Sequence, residues 1–232
     1  MTTARAATPR PGSARPGTAT ARAARTCGRE TGITRSLLGY GVIAGPVYVG
    51  VSLAEALTRD GFDLTRHAWS LLANGDLGWV HIAVFVLTGA MTVAFAVGLR
   101  RAHGRGWAAR LLAVYGLSLL AAGVFRADPA GGFPRGVSAG QASWHGVAHL
   151  VSGGVGFACL VAACFVLARR FTRSGRAAWA WSSRAIGVLF AAGFLAVASG
   201  AGAAWANLAF TGAVVLGWAW ISALAVHAYR NA

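Results

Sequence analysis

Long apolar segments separated by short polar stretches dominate the chain after residue 35. About 20 apolar residues in a helix cross the roughly 30 Å hydrocarbon core of a bilayer, and a helix satisfies its own backbone polar groups there. A tight connection near Gly200 and Gly202 divides the last long apolar run in two. The predicted spans are 36–57, 78–99, 109–125, 144–168, 185–203 and 206–228. The pattern therefore predicts an all-α, polytopic membrane protein with six transmembrane helices, a transmembrane domain covering residues 36–230.

Residues 1–35 have a different composition, rich in Ala, Arg, Thr, Pro and Gly and poor in large apolar side chains. Such a segment cannot bury enough surface to offset its ordering entropy, so we predict a disordered cytoplasmic tail. In the first span, Gly41 and Gly45 form a GxxxG pair that allows another helix to approach closely. Pro46 follows them, and it is predicted to kink this helix because it removes a backbone hydrogen bond.

The charged residues are few and strongly basic. Only 12% of residues are charged, against about a quarter in soluble domains, and 21 basic residues outnumber six acidic ones, for a net charge of +15. Such an excess can indicate nucleic-acid binding. Here every basic residue is an arginine, and the arginines lie between apolar runs and in the tail. Membrane topology explains that distribution, and no nucleic-acid partner is predicted.

The arginines also predict the orientation of the bundle. Four of the 21 arginines lie on one side of the predicted membrane, and the others lie in the tail, in the opposite loops and at the carboxyl end. All acidic residues except Glu30 fall on the arginine-poor side. Because cytoplasmic loops carry the excess of arginine, both termini are predicted to be cytoplasmic, in a multi-pass protein of the plasma membrane.

The first outer loop, residues 58–77, contains a short amphipathic pattern. Asp63 is placed to cap a helix, and Asn74-Gly75 is a typical helix stop. The apolar residues between them predict a short helix in the membrane interface. Asp76 is predicted to cap the second span.

Polar side chains gather at the predicted outer ends of the spans. His145 and His149 are four residues apart and so share one helix face, and Asp128 lies just beyond the third span. We predict an outward-facing polar pocket that binds a lipid headgroup or small solute, in a binding, transport or accessory role. Membrane lipids are the expected partners, with an unidentified small-molecule ligand or a homo-oligomer as further options. The predicted pocket residues are Glu55, His81, Asp128, His145, His149 and Asn207.

A metal site is the alternative interpretation of the same residues. His-x-x-x-His presents two imidazoles to one ion, and zinc prefers a tetrahedral ligand set, here His145, His149, Asp128 and His81. Zinc would lower the pKa of a bound water and supply a hydroxide, giving a zinc-dependent hydrolase at the outer leaflet. Membrane hydrolases of the ceramidase and adiponectin-receptor type are similar in using His-x-x-x-His with an Asp and another His, although they have seven spans.

Two further interpretations of the histidines remain open. His81 with His145 or His149 would suit a bis-histidine haem. The same side chains would also suit a plain hydrogen-bonded cap at the helix ends, without any cofactor, and we take the absence of a cofactor as the primary expectation. On the opposite side, His103 is predicted in a loop, and His227 stands alone at the end of the sixth span.

Three short motifs carry a resemblance to a known family. They are Ser70-Leu-Leu-Ala-Asn-Gly75 with Gly78-Trp79, then Gly123-Val-Phe-Arg-Ala-Asp-Pro129, then His145 and His149 at the start of a span. With these motifs the chain resembles the bacterial and archaeal DUF998 family from Leu37 to Tyr229. The resemblance implies a six-span membrane protein, and the family has no established activity.

Overall fold

Six α-helices follow the six predicted apolar segments. The computed structural model describes residues 17–232 apart from 138–139 and 200–202, and it describes side chains from residue 30 onward. Within these residues each of six helices is long and apolar enough to cross a membrane, and none is assigned to a β-strand. The predicted all-α, six-helix membrane architecture is confirmed. The helices are α1 (Gly17–Thr58), α2 (Gly78–His103), α3 (Trp107–Val124), α4 (Trp144–Arg173), α5 (Ala177–Ala198) and α6 (Ala204–Arg230), with one 3₁₀-helix, Trp69–Ala73, between α1 and α2.

The first helix begins inside the segment predicted to be a tail. Helix α1 starts at Gly17, and the part of it that meets the length and hydropathy of a membrane span is Glu30–Thr58. Residues 1–16 lie outside the described residues, so the division of the chain at residue 35 stays a prediction. Pro46 lies inside α1, and the helix continues through it.

The chain divides into two compact units, residues 1–33 and residues 34–232. In the first unit, residues 17–33 are helical. In the second, each helix from α2 to α6 packs against the next along the chain. The part of α1 in this unit packs closely against both α2 and α6. A Cβ added at Gly41 would lie only 2.6 Å from Phe95 of α2 and 2.8 Å from Ala225 of α6. The predicted close approach at the GxxxG pair is confirmed.

The helices on either side of the fourth connection are longer than predicted. Helix α4 continues to Arg173 and α5 begins at Ala177, whereas the predicted spans left residues 169–184 as a loop. Hydropathy falls at the first arginine of this stretch, but arginine side chains can extend from a helix end to water while the backbone stays helical. Gly175, with a φ of +71°, then allows the tight turn between the two helices.

The first outer loop packs into the bundle, and the prediction of an interfacial helix in this loop is wrong. The loop forms only the 3₁₀-helix, in which Trp69 is 6% and Leu72 0% exposed. These side chains are buried in the protein, next to α2, and do not form an exposed apolar face. Asp63 and Asp76 cap no helix: the capping positions are Ala68 and Leu77, and neither makes a side-chain bond. The Asp63 carboxylate instead accepts hydrogen bonds from the hydroxyl and amide of Thr65, and these lower the pKa of Asp63.

Candidate functional site

A buried acid and a buried imidazole meet one turn inside the helix ends that are predicted to face outward. Glu55 lies near the end of α1, and His81 lies in the first turn of α2. His81 Nδ1 and Glu55 Oε2 are 2.8 Å apart, and the two side chains are 0% and 9% exposed. Because a carboxylate oxygen accepts the hydrogen bond, Nδ1 is the nitrogen that donates it. The imidazole ring is held edge-on by Phe85, with ring centroids 4.7 Å apart.

Arg59 completes this group and connects it to both outer loops. Its Nη1 lies 3.4 Å from Glu55 Oε1 and donates to the carbonyl of Leu72, while Nη2 donates to the carbonyl of Asn74 at 2.6 Å. The guanidinium also stacks over the ring of Phe133, 5.4 Å from its centroid, in the second predicted outer loop, residues 127–143. A carboxylate at this depth is costly unless charged or hydrogen-bonding groups compensate it, and Arg59 and His81 do so.

An open cavity of about 520 Å³ lies beside Arg59, at the end of the bundle that holds both predicted outer loops, and we call it the outer cavity. Arg135 and Asp60 form an ion pair at its edge, with 3.1 Å between Nη1 and Oδ2 and side chains 71% and 80% exposed. Charged groups of both signs therefore border this space. The charged and polar lining residues are Thr58, Arg59, Asp60, Asn74, Asp76 and Arg135.

His149 lies near the buried pair but is bound to backbone. Its Nδ1 is 2.7 Å from the carbonyl oxygen of Phe125 at the end of α3. Its ring packs against Phe85, which also packs against His81. The histidine thus satisfies a carbonyl at the end of a membrane helix, where no further helical turn can do so.

Asp128 organises the start of α4. Its two carboxylate oxygens accept from the amide of Ser143 at 2.8 Å and from the hydroxyl of Ser143 at 2.5 Å, and that hydroxyl accepts from the amide of Gly146 at 3.0 Å. These bonds from Ser143, assisted by the nearby His145, hold the pKa of the Asp128 carboxyl below its usual range. A Cβ at Gly146 would collide with the carboxylate. Asp128 therefore supports the helix cap that Ser143 makes.

We expect the Ser143→Ala variant to lower the free energy of unfolding by about 1 kcal/mol, because it removes the α4 cap.

The Asp128→Asn variant should change how the stability of the fold depends on pH in the acidic range. A carboxyl whose pKa is lowered in the folded state stabilises the fold above its unfolded pKa of about 4, and this contribution disappears as pH falls through the folded pKa. Thermal midpoints at pH 5 and pH 3 should differ less in Asp128→Asn than in the natural protein. An unchanged difference would contradict the role assigned to Asp128.

The six residues predicted to form the pocket lie in different places. Glu55 and His81 are paired, and the ring of Phe85 lies between His81 and His149. Asp128 caps α4 through Ser143, and the exposed His145 beside it stacks on Trp144, with centroids 3.6 Å apart. Asn207 donates to the carbonyl of Thr65 in the first outer loop at 3.1 Å. None of the six is among the described residues that line the outer cavity.

The structure gives no support to the metal arrangement. Across the residues that the structure describes, no group of three or more His, Cys, Asp or Glu side chains is placed to hold a metal ion. His81 is turned toward Glu55, and His149 toward a backbone carbonyl. The zinc and haem interpretations therefore stay predictions.

Sequence reasoning missed Arg59 and the aromatic surroundings of the buried pair. The available signal for Arg59 was its position four residues after Glu55, the spacing of an ion pair along a helix. No local pattern indicated that Tyr48 would contact Trp69 at 6.0 Å and Trp218 at 4.7 Å between ring centroids. Those contacts join α1, the 3₁₀-helix and α6.

The model of the DUF998 family, described as proteins of unknown function, matches residues 42–227. The match begins in α1 and ends in α6, so it includes the Glu55–His81 pair, Arg59 and both outer loops. No curated protein and no solved structure matches the chain. With most of its length covered by the family model, this six-helix membrane protein belongs to the DUF998 family.

Proposed function

We propose that this protein lies in the plasma membrane with both termini in the cytoplasm and binds a zwitterionic ligand in its outer cavity. The ligand is a zwitterionic lipid headgroup or a small solute with the same charges. One observation carries the proposal: Arg59 lines the cavity and is at the same time paired with the buried Glu55. The buried ion pairs of Glu55 with His81 and Arg59 thus hold in place one of the residues that line the outer cavity.

The orientation is supported by where the arginines fall on the helices. The connections from α1 to α2 and from α3 to α4 contain only four arginines, and the cavity lies at that end. The other ends carry arginines in the last turns of α2, α4 and α6. By the bias of arginine toward cytoplasmic segments, the cavity faces outward.

The charges of the lining favour a ligand that carries both signs. Both Nη1 and Nη2 of Arg59 already bond, to Glu55 and to two backbone carbonyls, so this residue contributes mainly positive potential. The exposed pair of Arg135 and Asp60 is worth at most about 1 kcal/mol and can open at little cost. A ligand with a phosphate and an ammonium group would replace that one pair with two, one to Arg135 and one to Asp60 or Asp76.

Glu55 and His81 act in this proposal as positioning residues. His81 fixes the carboxylate of Glu55 from one side, and that carboxylate helps to fix Arg59 from the other. The pair lies beneath the cavity and is buried, so it sets the shape and potential of the wall. The role is one of binding, transport or accessory function, without a chemical step.

Native mass spectrometry of the purified protein tests the proposal with phosphatidylethanolamine and phosphatidylglycerol as probes. We expect Arg135→Gln and Asp60→Asn each to weaken phosphatidylethanolamine binding roughly fivefold, as the loss of about 1 kcal/mol of charge-assisted contact predicts, and to weaken phosphatidylglycerol binding less. Arg66→Gln is the matched control, since Arg66 is an exposed arginine of the first outer loop that does not line the cavity.

The soluble headgroup glycerophosphoethanolamine separates the two sources of the ligand. Binding of this compound alone would indicate a solute site, and binding of the intact lipid only would indicate a lipid site. Equal affinity of all three variants for the zwitterionic probes would contradict the proposal. Stoichiometric zinc in the purified protein would contradict a binding-only role.

A further inference from the structure

A second cavity, of about 210 Å³, lies at the end of the bundle opposite Glu55. Four basic side chains from different elements line it: His103 at the end of α2, Arg170 in the last turn of α4, Arg176 just before α5, and His227 in the last turn of α6. No acidic residue is among the described residues of this lining. We call this space the basic cavity.

The floor of the basic cavity is apolar and its rim is exposed. Leu167 is 2%, Phe171 5% and Leu224 2% exposed, so the floor belongs to the core of the bundle. Arg170 and Arg176 are exposed at the rim. An apolar floor below a cationic rim suits a ligand at the depth where a lipid headgroup meets its hydrocarbon chains.

His227 holds one of the two arginines in place without neutralising it. Its ring packs against Trp179 and Phe171, with centroids 4.9 and 6.0 Å away. Arg176 Nη1 contacts His227 Nε2, and because a guanidinium can only donate, this imidazole nitrogen accepts and the ring is neutral. The positive charge of Arg176 thus meets a neutral partner here and remains available to an anion.

We propose that the basic cavity binds a phosphate-type oxyanion, either the phosphodiester of an anionic lipid or free phosphate. Two guanidinium groups match the geometry of phosphate oxygens through paired N–H donors. The unbalanced positive charge of the lining distinguishes this site from the outer cavity, which is lined by two arginines and two aspartates. The inference goes beyond the proposed function, since it concerns the other end of the bundle and another charge class.

The experiment compares phosphatidylglycerol with phosphatidylethanolamine on the full-length protein by native mass spectrometry. We expect Arg170→Gln and Arg176→Gln each to weaken phosphatidylglycerol binding roughly fivefold, the effect of one basic residue at an anionic surface, and to leave phosphatidylethanolamine binding unchanged. Arg169→Gln is the matched control, because it removes an exposed arginine from the same helix that does not line the cavity. The Arg176→Lys variant, which keeps the charge but not the paired donors, should retain part of the affinity.

Inorganic phosphate supplies the second arm of the experiment. A rise in thermal midpoint with millimolar phosphate that is lost in Arg170→Gln would identify a soluble anion as the source, and a response to the lipid alone would identify the bilayer. Equal losses in Arg169→Gln and Arg170→Gln would overturn the proposal, as would unchanged binding in Arg170→Gln and Arg176→Gln. The outer-cavity variants test a different lipid, so failure at one site leaves the other intact.

Discussion

Replacing Glu55 with alanine is expected to lower the free energy of unfolding by about 3–5 kcal/mol, the largest effect of any substitution that we propose. The change removes the common partner of His81 and Arg59, which are 0% and 9% exposed. The guanidinium keeps two carbonyl partners but loses the opposite charge beside it. A buried cation without an anion is costly, and this cost appears directly as lost stability.

The measurement is reversible unfolding in increasing mole fractions of SDS, compared with two other variants. Asp60→Ala removes an acid from the exposed pair with Arg135 and should cost less than about 1 kcal/mol. Glu55→Gln keeps a hydrogen-bond acceptor for His81 but loses the charge, so its stability should fall between those of the other two variants. If Glu55→Ala and Asp60→Ala cost the same, the buried network does not hold the outer end together.

The spans were predictable because hydropathy is a local property of a segment. Twenty apolar residues must find either lipid or a protein interior whatever the rest of the chain does. The starts of α2 and α4 agree with the prediction for the same reason, since Asp76 lies two residues before Gly78 and Ser143 directly before Trp144. The ends of helices α2 and α4 were missed because arginines lower hydropathy without ending a helix.

The site was predictable only as a list of ionisable residues near span ends. Glu55 and His81 are 26 residues apart in the chain, and whether they face each other depends on how α1 and α2 are rotated in the bundle. Asp128 was expected at a similar depth, but its carboxylate accepts hydrogen bonds from Ser143, a contact that depends on the turns of the second outer loop. No sequence periodicity specifies those turns.

The opposite end of the bundle shows the same limit. His103 was expected in a loop and His227 alone, yet α2 extends to His103 and both residues line the basic cavity. Because α2 is longer than predicted, His103 reaches the same end of the bundle as His227, and the packing of α2 and α6 brings both to one cavity. Contacts between the ends of separate helices depend on the tertiary fold.

Gly45→Ala is expected to destabilise the bundle by about 1–3 kcal/mol through overpacking between α1 and α6. A Cβ at this position would lie 2.8 Å from the carbonyl oxygen of Trp218 and would also collide with the hydroxyl of Ser222. The carbonyl belongs to the α6 backbone and cannot rotate away, so the two helices must separate. Separation also loosens Trp218, which is 1% exposed and stacks on Tyr48.

Gly50→Ala is the matched control for this prediction, because it lies in the same helix and a Cβ there meets no atom within 4 Å. Alanine at an open helical position should be neutral or stabilise by up to about 1 kcal/mol, through its higher helix propensity. In the same SDS unfolding experiment, we therefore expect a loss of stability for Gly45→Ala and no loss for Gly50→Ala, although the two substitutions are chemically identical and lie five residues apart. Equal behaviour of Gly45→Ala and Gly50→Ala would contradict the close packing of α1 against α6 on which the placement of Tyr48, Glu55 and Arg59 depends.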